Sequence, residues 1–182
     1  MKSSTLALYH AAPSTLARVD QVQARFLQEV GPTDHEALKD FWLAPLKSRR
    51  DMGMLGVLHK VNLGVAPVQI EKLFPRLGCT EETGWKQRLR FWRPLHSRQL
   101  ATPVDASSSE VLRRSLFGLV ACYNGLPQSF VDEVSVKTFQ RRLQLGLLRL
   151  AELGAEDWGL LYSSAWRRFP RTKLDGALGL RS

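Results

Sequence analysis

The stretch SVKTFQRRLQLGLLRLAELG (135–154) decides the fold class. Ser135 can accept a hydrogen bond from the free amides of a first helical turn, and Gly154 stands where a left-handed residue ends a helix. Between them Val136, Phe139, Leu143, Leu147 and Leu150 recur at intervals of three and four, which predicts one apolar helical face. Gly146 weakens that helix slightly without breaking it.

The same grammar extends toward the amino terminus. Residues 110–123 are apolar at Val111, Leu112, Leu116, Leu119, Val120 and Tyr123, predicting a buried helix that stops at Asn124 and Gly125 before Leu126 and Pro127 restart the chain. Pro45 fits a first helical position, and Met52, Leu55, Leu58 and Val61 form a second stripe ending at Gly64. From Pro13, the residues Leu16, Val19, Val22, Phe26, Leu27 and Val30 predict a helix with a single buried face, stopped by Gly31 and Pro32. Thr33 or Asp34 would cap a short helix through Phe41 and Trp42, and Pro67 would open another with Val68, Ile70, Leu73 and Phe74 on one side.

The expected architecture is mainly α: a small irregular helical bundle with a basic arm around residues 85–100. The arm, WKQRLRFWRPLHSRQL, fits an extended strand and a fraying helix equally by period. The expected organisation is an amino-terminal helical lobe (1–78), the arm and a linker (79–109), and a carboxy-terminal helical lobe (110–182). The linker signal is strongest at 102–109, with Pro103 and three consecutive serines.

Composition narrows the function. The 182 residues are 44% hydrophobic with 8 Phe and 5 Trp, as in chains that form a core. Lys and Arg number 26 against 17 acidic residues, a net charge of +9. The favoured partner is a polyanion, and RNA or DNA comes first because Lys and Arg contacts to phosphate supply most non-specific affinity. No apolar run approaches the roughly 20 residues a bilayer-spanning helix needs, so no membrane partner is expected. Cys79 and Cys122 stand apart from any ligand cluster and read as buried free thiols of a reducing compartment. The expected location is intracellular, nuclear or cytoplasmic. Residues 1–19 lack acids and weakly resemble a mitochondrial transit peptide, although an ordinary amphipathic helix accounts for much of the same stretch.

Catalytic constellations are missing. His10, His35, His59 and His96 are dispersed, and no GxSxG or SxxK pattern occurs. The acidic pairs Glu81/Glu82, Asp132/Glu133 and Glu156/Asp157 fall in predicted loops or at helix ends rather than in a metal-binding set. The expectation is therefore no enzyme, no cofactor and no metal. The strongest binding signal is Lys86, Arg88, Arg90, Arg93 and Arg98, free of acids and interleaved with Trp85, Phe91 and Trp92. The cations would hold phosphates while Trp92 stacks on a base, and Arg113, Arg114, Arg141 and Arg142 would extend the positive surface. The competing reading turns the aromatics to the core and leaves the arginines as a solvated rim.

Four segments taken in order resemble a known family: LYHAAPSTLARVDQVQARFLQEVG (8–31), FWLAPLKSRRDMGMLGVLHKVNLG (41–64), HSRQL (96–100) and SLFGLVACYNGLPQSFVDEVSVKTFQRRLQ (115–144). Their succession is similar to the carboxy-terminal region of reverse transcriptases from non-LTR (LINE-type) retrotransposons. The counterparts are residues 19–27, 45–50 and 124–127, followed by Ser135, Val136, Phe139 and Leu143. The resemblance implies a parent that copies RNA into DNA, with this portion downstream of the catalytic palm helping to hold template or primer. Paired palm aspartates, an endonuclease and a Cys/His knuckle are not found in the sequence. What it implies is thus a non-catalytic nucleic-acid-binding fragment, with a reverse transcriptase core as a further partner. The alternatives are a helical protein–protein interaction module and an inert relic.

Overall fold

The computed structural model describes residues 9, 11–77, 96–101 and 109–163, and among them the fold is mainly helical with an isolated β-bridge in place of a sheet. Helix α1 (Pro13–Val30) ends at Gly31, whose φ of +103° lets its amide reach the Leu27 carbonyl at 2.8 Å. Helix α2 (Asp34–Phe41) starts from a capping box: Thr33 Oγ1 accepts the Glu36 amide at 3.3 Å, and Glu36 Oε2 accepts the Thr33 amide at 2.8 Å. Thr33, not Asp34, is the cap.

Helix α3 (Leu46–Leu63) is the centre of the molecule. Met52, Met54, Leu55, Leu58 and Val61 are buried on it, as are the polar Ser48, Asp51, His59 and Asn62. Its apolar stripe is the predicted one, but Pro45 caps the helix rather than opening it. A short α4 (Val68–Glu71) follows, with Phe74 buried just beyond it while Val68 and Leu73 stay exposed.

The predicted helix over 110–123 is two helices, α5 (Glu110–Arg113) and α6 (Leu116–Asn124). Ser115 separates them because its hydroxyl accepts the Phe117 amide at 3.2 Å and donates to the Leu112 carbonyl at 2.6 Å, offering the backbone a turn instead of a continued ladder. After α7 (Gln128–Val131) comes α8 (Val136–Glu152), capped as predicted by Ser135, whose Oγ accepts the Thr138 amide at 3.3 Å. Phe139, Leu143, Leu147 and Leu150 are buried, and Gly154 has a φ of +72°. A 3₁₀ turn at Trp158–Leu160 closes the described chain.

Helix α3 packs against α8 and α6, α1 lies along α3, and α2 touches α8. One apolar cluster therefore draws on both halves of the chain, from Leu38 and Leu55 to Leu147 and Tyr162. Helix α1 departs from the single buried face expected of it. Among its apolar residues only Leu27 is buried, Leu16 and Val19 are half-buried, and Val22, Phe26 and Val30 face outward. The helix leans on α3 with one edge of a wide apolar stripe.

The end of the basic arm is strand-like at a single point. Arg76 and Leu100 form an antiparallel bridge, flanked by bonds from the Leu77 amide to the Gln99 carbonyl (2.8 Å) and the Ala101 amide to the Pro75 carbonyl (2.7 Å). Residues 85–95 lie outside the described ones. Asn124 clasps the segment from the other side: its Oδ1 accepts the Leu100 amide at 2.9 Å and its Nδ2 donates to the Leu100 carbonyl at 2.8 Å. Asn124→Ala leaves both buried backbone groups without that partner and is expected to cost about 2 kcal/mol. Hydrogen exchange at the Leu100 amide checks this; exchange as slow as in the parent protein would contradict the clasp.

Candidate nucleic-acid interface

Of the ten side chains predicted to contact nucleic acid, Lys86, Arg88, Arg90, Trp92 and Arg93 lie outside the described residues. Cys79 does as well. Three others are engaged by the protein itself. Arg98 donates to the Val131 carbonyl at 3.3 Å and stands 3.8 Å from the Asp132 carboxylate. Arg114 bonds the Ala11 carbonyl. Arg142 bonds the Ser129 carbonyl, pairs with Glu133 at 2.7 Å and lies 4.9 Å over the Phe130 ring. Each is a half-buried cation tying distant segments together.

Arg113 and Arg141 are exposed. Arg113 ends α5, which packs on α6, whereas Arg141 stands on α8 beside the end of α2. There Trp42 closes α2 with φ +56° and ψ +25°, the one left-handed residue other than glycine among those described. A side chain bearing a Cβ costs about 1–2 kcal/mol in this region. Two contacts hold it: the Leu43 amide reaches back to the Ala37 carbonyl at 2.9 Å, and Gln144 Nε2 on α8 donates to the Trp42 carbonyl at 2.6 Å. The Arg141 guanidinium sits 5.9 Å over the indole ring.

The ring stays accessible. Trp42 is 41% exposed and its neighbour Phe41 69% exposed, with Lys39 on α2 and Lys137 one turn before Arg141 also at the surface. Two aromatic faces and a guanidinium in one place can stack on unpaired bases and hold a phosphate. No protein-family model matches the chain, and no curated protein or solved structure matches it either.

The interior holds the remaining titratable groups, and their bonds are structural. His59 Nε2 donates to the Glu133 carbonyl at 2.7 Å, so its Nδ1 accepts from the Tyr123 hydroxyl at 3.1 Å, which in turn accepts from Asn62 Nδ2 at 2.8 Å. Its ring stacks on Phe139 with centroids 4.1 Å apart. Burial pushes His59 and His96 below the ordinary imidazole range, which keeps both neutral. His96 spends its nitrogens on the Tyr123 carbonyl (3.2 Å) and the Arg98 amide (3.1 Å). Cys122 is a buried free thiol, and burial pushes it up, away from reactivity. Among the described residues no three His, Cys, Asp or Glu side chains gather at one point, and no helix is long and apolar enough to cross a membrane.

The segment HSRQL (96–100) docks onto the carboxy-terminal helices, Arg98 on Val131 and Leu100 on Asn124. Trp42 and Phe41 had no special signal in the sequence beyond two adjacent aromatics at a predicted helix end.

Proposed function

We propose that the chain is a non-catalytic module that binds single-stranded RNA or DNA with little sequence preference. The observation that carries the proposal is Trp42, an exposed indole held in a left-handed backbone by the Leu43–Ala37 bond and by Gln144 of α8, and overlaid by Arg141. Strained residues kept at a surface are where binding sites concentrate, since a glycine would meet the backbone requirement alone. The net charge of +9 supplies sequence-independent attraction to phosphate. Lys86, Arg88, Arg90, Arg93 and Trp92 belong to the same reading through their composition, while Arg98, Arg114 and Arg142 serve the fold. The resemblance to the carboxy-terminal region of non-LTR reverse transcriptases makes a template or primer strand the natural ligand, with this chain as a fragment of such a protein.

Fluorescence anisotropy with a labelled single-stranded RNA tests the platform. Trp42→Ala is expected to weaken binding about ten- to a hundredfold, because one base–aromatic stack contributes about 1–3 kcal/mol. Trp42→Phe should retain most of the affinity, and Arg141→Ala should lower both the affinity and the salt slope by about one. Equal affinity for Trp42→Ala and the parent protein would exclude the platform.

A further inference from the structure

Helix α1 carries a second apolar surface, separate from the Trp42 rim. Val22 (67% exposed), Phe26 (52%) and Val30 (60%) stand at four-residue intervals, continuing past the edge that packs on α3. Soluble monomers scatter single exposed apolar side chains, whereas an ordered row of three along one helix marks a contact surface. Its occupant can be read from the charges beside it. Arg18 and Glu29 are both exposed, lie on the same flank of the row about three turns apart, and form no ion pair with a described residue. The nearby charges Asp20 and Arg50 are already bound to each other at 2.6 Å.

We propose that this face of α1 pairs antiparallel with α1 of a second copy of the chain. In antiparallel helix pairs the same flank of each helix meets across the seam, so Arg18 stands opposite Glu29 of the second copy and the reciprocal pair forms by symmetry. Val22 and Phe26 then interdigitate at the centre. Arg25, on the same flank, is offset from its own copy by most of a turn in this register. A parallel pair would instead set this flank against the opposite one, where Leu16, Gln23 and Leu27 offer no charge to Arg18 or Glu29, so charge selects the antiparallel form. One helix face is a small interface, so the dimer is weak and reversible, with a Kd of roughly tens of micromolar.

Sedimentation of the full chain over a concentration series at fixed salt tests this. The expected result is a monomer–dimer equilibrium that Phe26→Asp abolishes, with no change in the thermal midpoint measured well below the Kd, because the ring is already half outside. Arg18→Glu, which puts two acids at each end of the seam, should weaken association roughly tenfold, and Arg18→Glu combined with Glu29→Arg should restore it to within about threefold. Three results overturn the proposal: a monomer at every concentration, association that survives Phe26→Asp, or a double variant no better than the single one. A fourth is a midpoint lowered by Phe26→Asp well below the Kd, where both proteins are monomeric, since the row would then be covered by the chain's own residues.

Discussion

Gly118→Ala is expected to destabilise the protein by more than about 3 kcal/mol, although alanine is the better helix former. Gly118 sits in the first turn of α6, where the chain has just folded back from α5. A methyl group built there would stand 2.0 Å from the Arg113 carbonyl oxygen, 2.6 Å from its carbonyl carbon and 2.9 Å from its Cα. Those atoms are backbone and cannot rotate away, so α5 and α6 must separate. Gly56 on α3 is the control. A methyl there meets Gln140 Nε2 at 2.4 Å, the far end of a flexible side chain on α8. Gly56→Ala should therefore change stability by less than about 1 kcal/mol, because side-chain displacement and improved helix propensity offset each other. Urea unfolding of the two variants measures the contrast. Equal, small effects would mean that α5 does not approach α6 as described.

The second large effect depends on pH. Asp51 is buried on α3; its Oδ1 accepts the Tyr9 hydroxyl at 3.2 Å, and its Oδ2 has no hydrogen-bond partner among the described residues. Burial pushes the carboxyl up from 3.8 to about 7, against the smaller opposing effects of the Tyr9 hydrogen bond, Lys47 and Arg50. The folded chain thus holds a proton that the unfolded chain releases near 3.8. Between these values the unfolded state binds fewer protons, so Asp51 reduces stability progressively as pH rises through the window and levels off above it. Asp51→Asn keeps the oxygen that faces Tyr9 and cannot ionise. The variant is expected to exceed the parent by on the order of 3 kcal/mol at about pH 8, with the gap closing toward about pH 4. His59 and His96, kept neutral by burial, stabilise the fold above their ordinary range and lose that contribution as pH falls; both proteins share this, so it cancels in the difference. Parallel stability curves for the two proteins would show that Asp51 is not buried as a neutral acid.

How much of this was legible in the sequence follows from what short-range patterns encode. Ser135, Thr33, Gly31, Gly64 and Gly154 act on backbone within a few residues, and each helix boundary they predicted is present. The break at Ser115 was hidden because apolar residues run through it, so periodicity continued where the ladder did not. The stripe of α1 shows a different limit. Spacing reveals that a helix has an apolar face but not how much of that face the rest of the chain covers: Leu27 is buried and Leu16 and Val19 are half-buried, while Val22, Phe26 and Val30 face outward.

The binding residues were the least legible. Arg98, Arg114 and Arg142 looked like outward cations because their carbonyl partners, Val131, Ala11 and Ser129, are remote in sequence or on another helix. Trp42 could not have been singled out, since no residue pattern announces a left-handed tryptophan; besides the Leu43 amide on the Ala37 carbonyl, the restraint comes from Gln144 on α8, and Arg141 on the same helix covers the ring. Its significance is tertiary.

The most direct test of the central claim is the affinity of the full chain for a single-stranded RNA measured across salt. Release of counterions from phosphate requires the logarithm of the association constant to fall linearly with the logarithm of salt, losing at least about tenfold between roughly 50 and 200 mM. An affinity that stays flat over that range, or no binding at its low-salt end, would contradict a polyanion-binding surface on this protein.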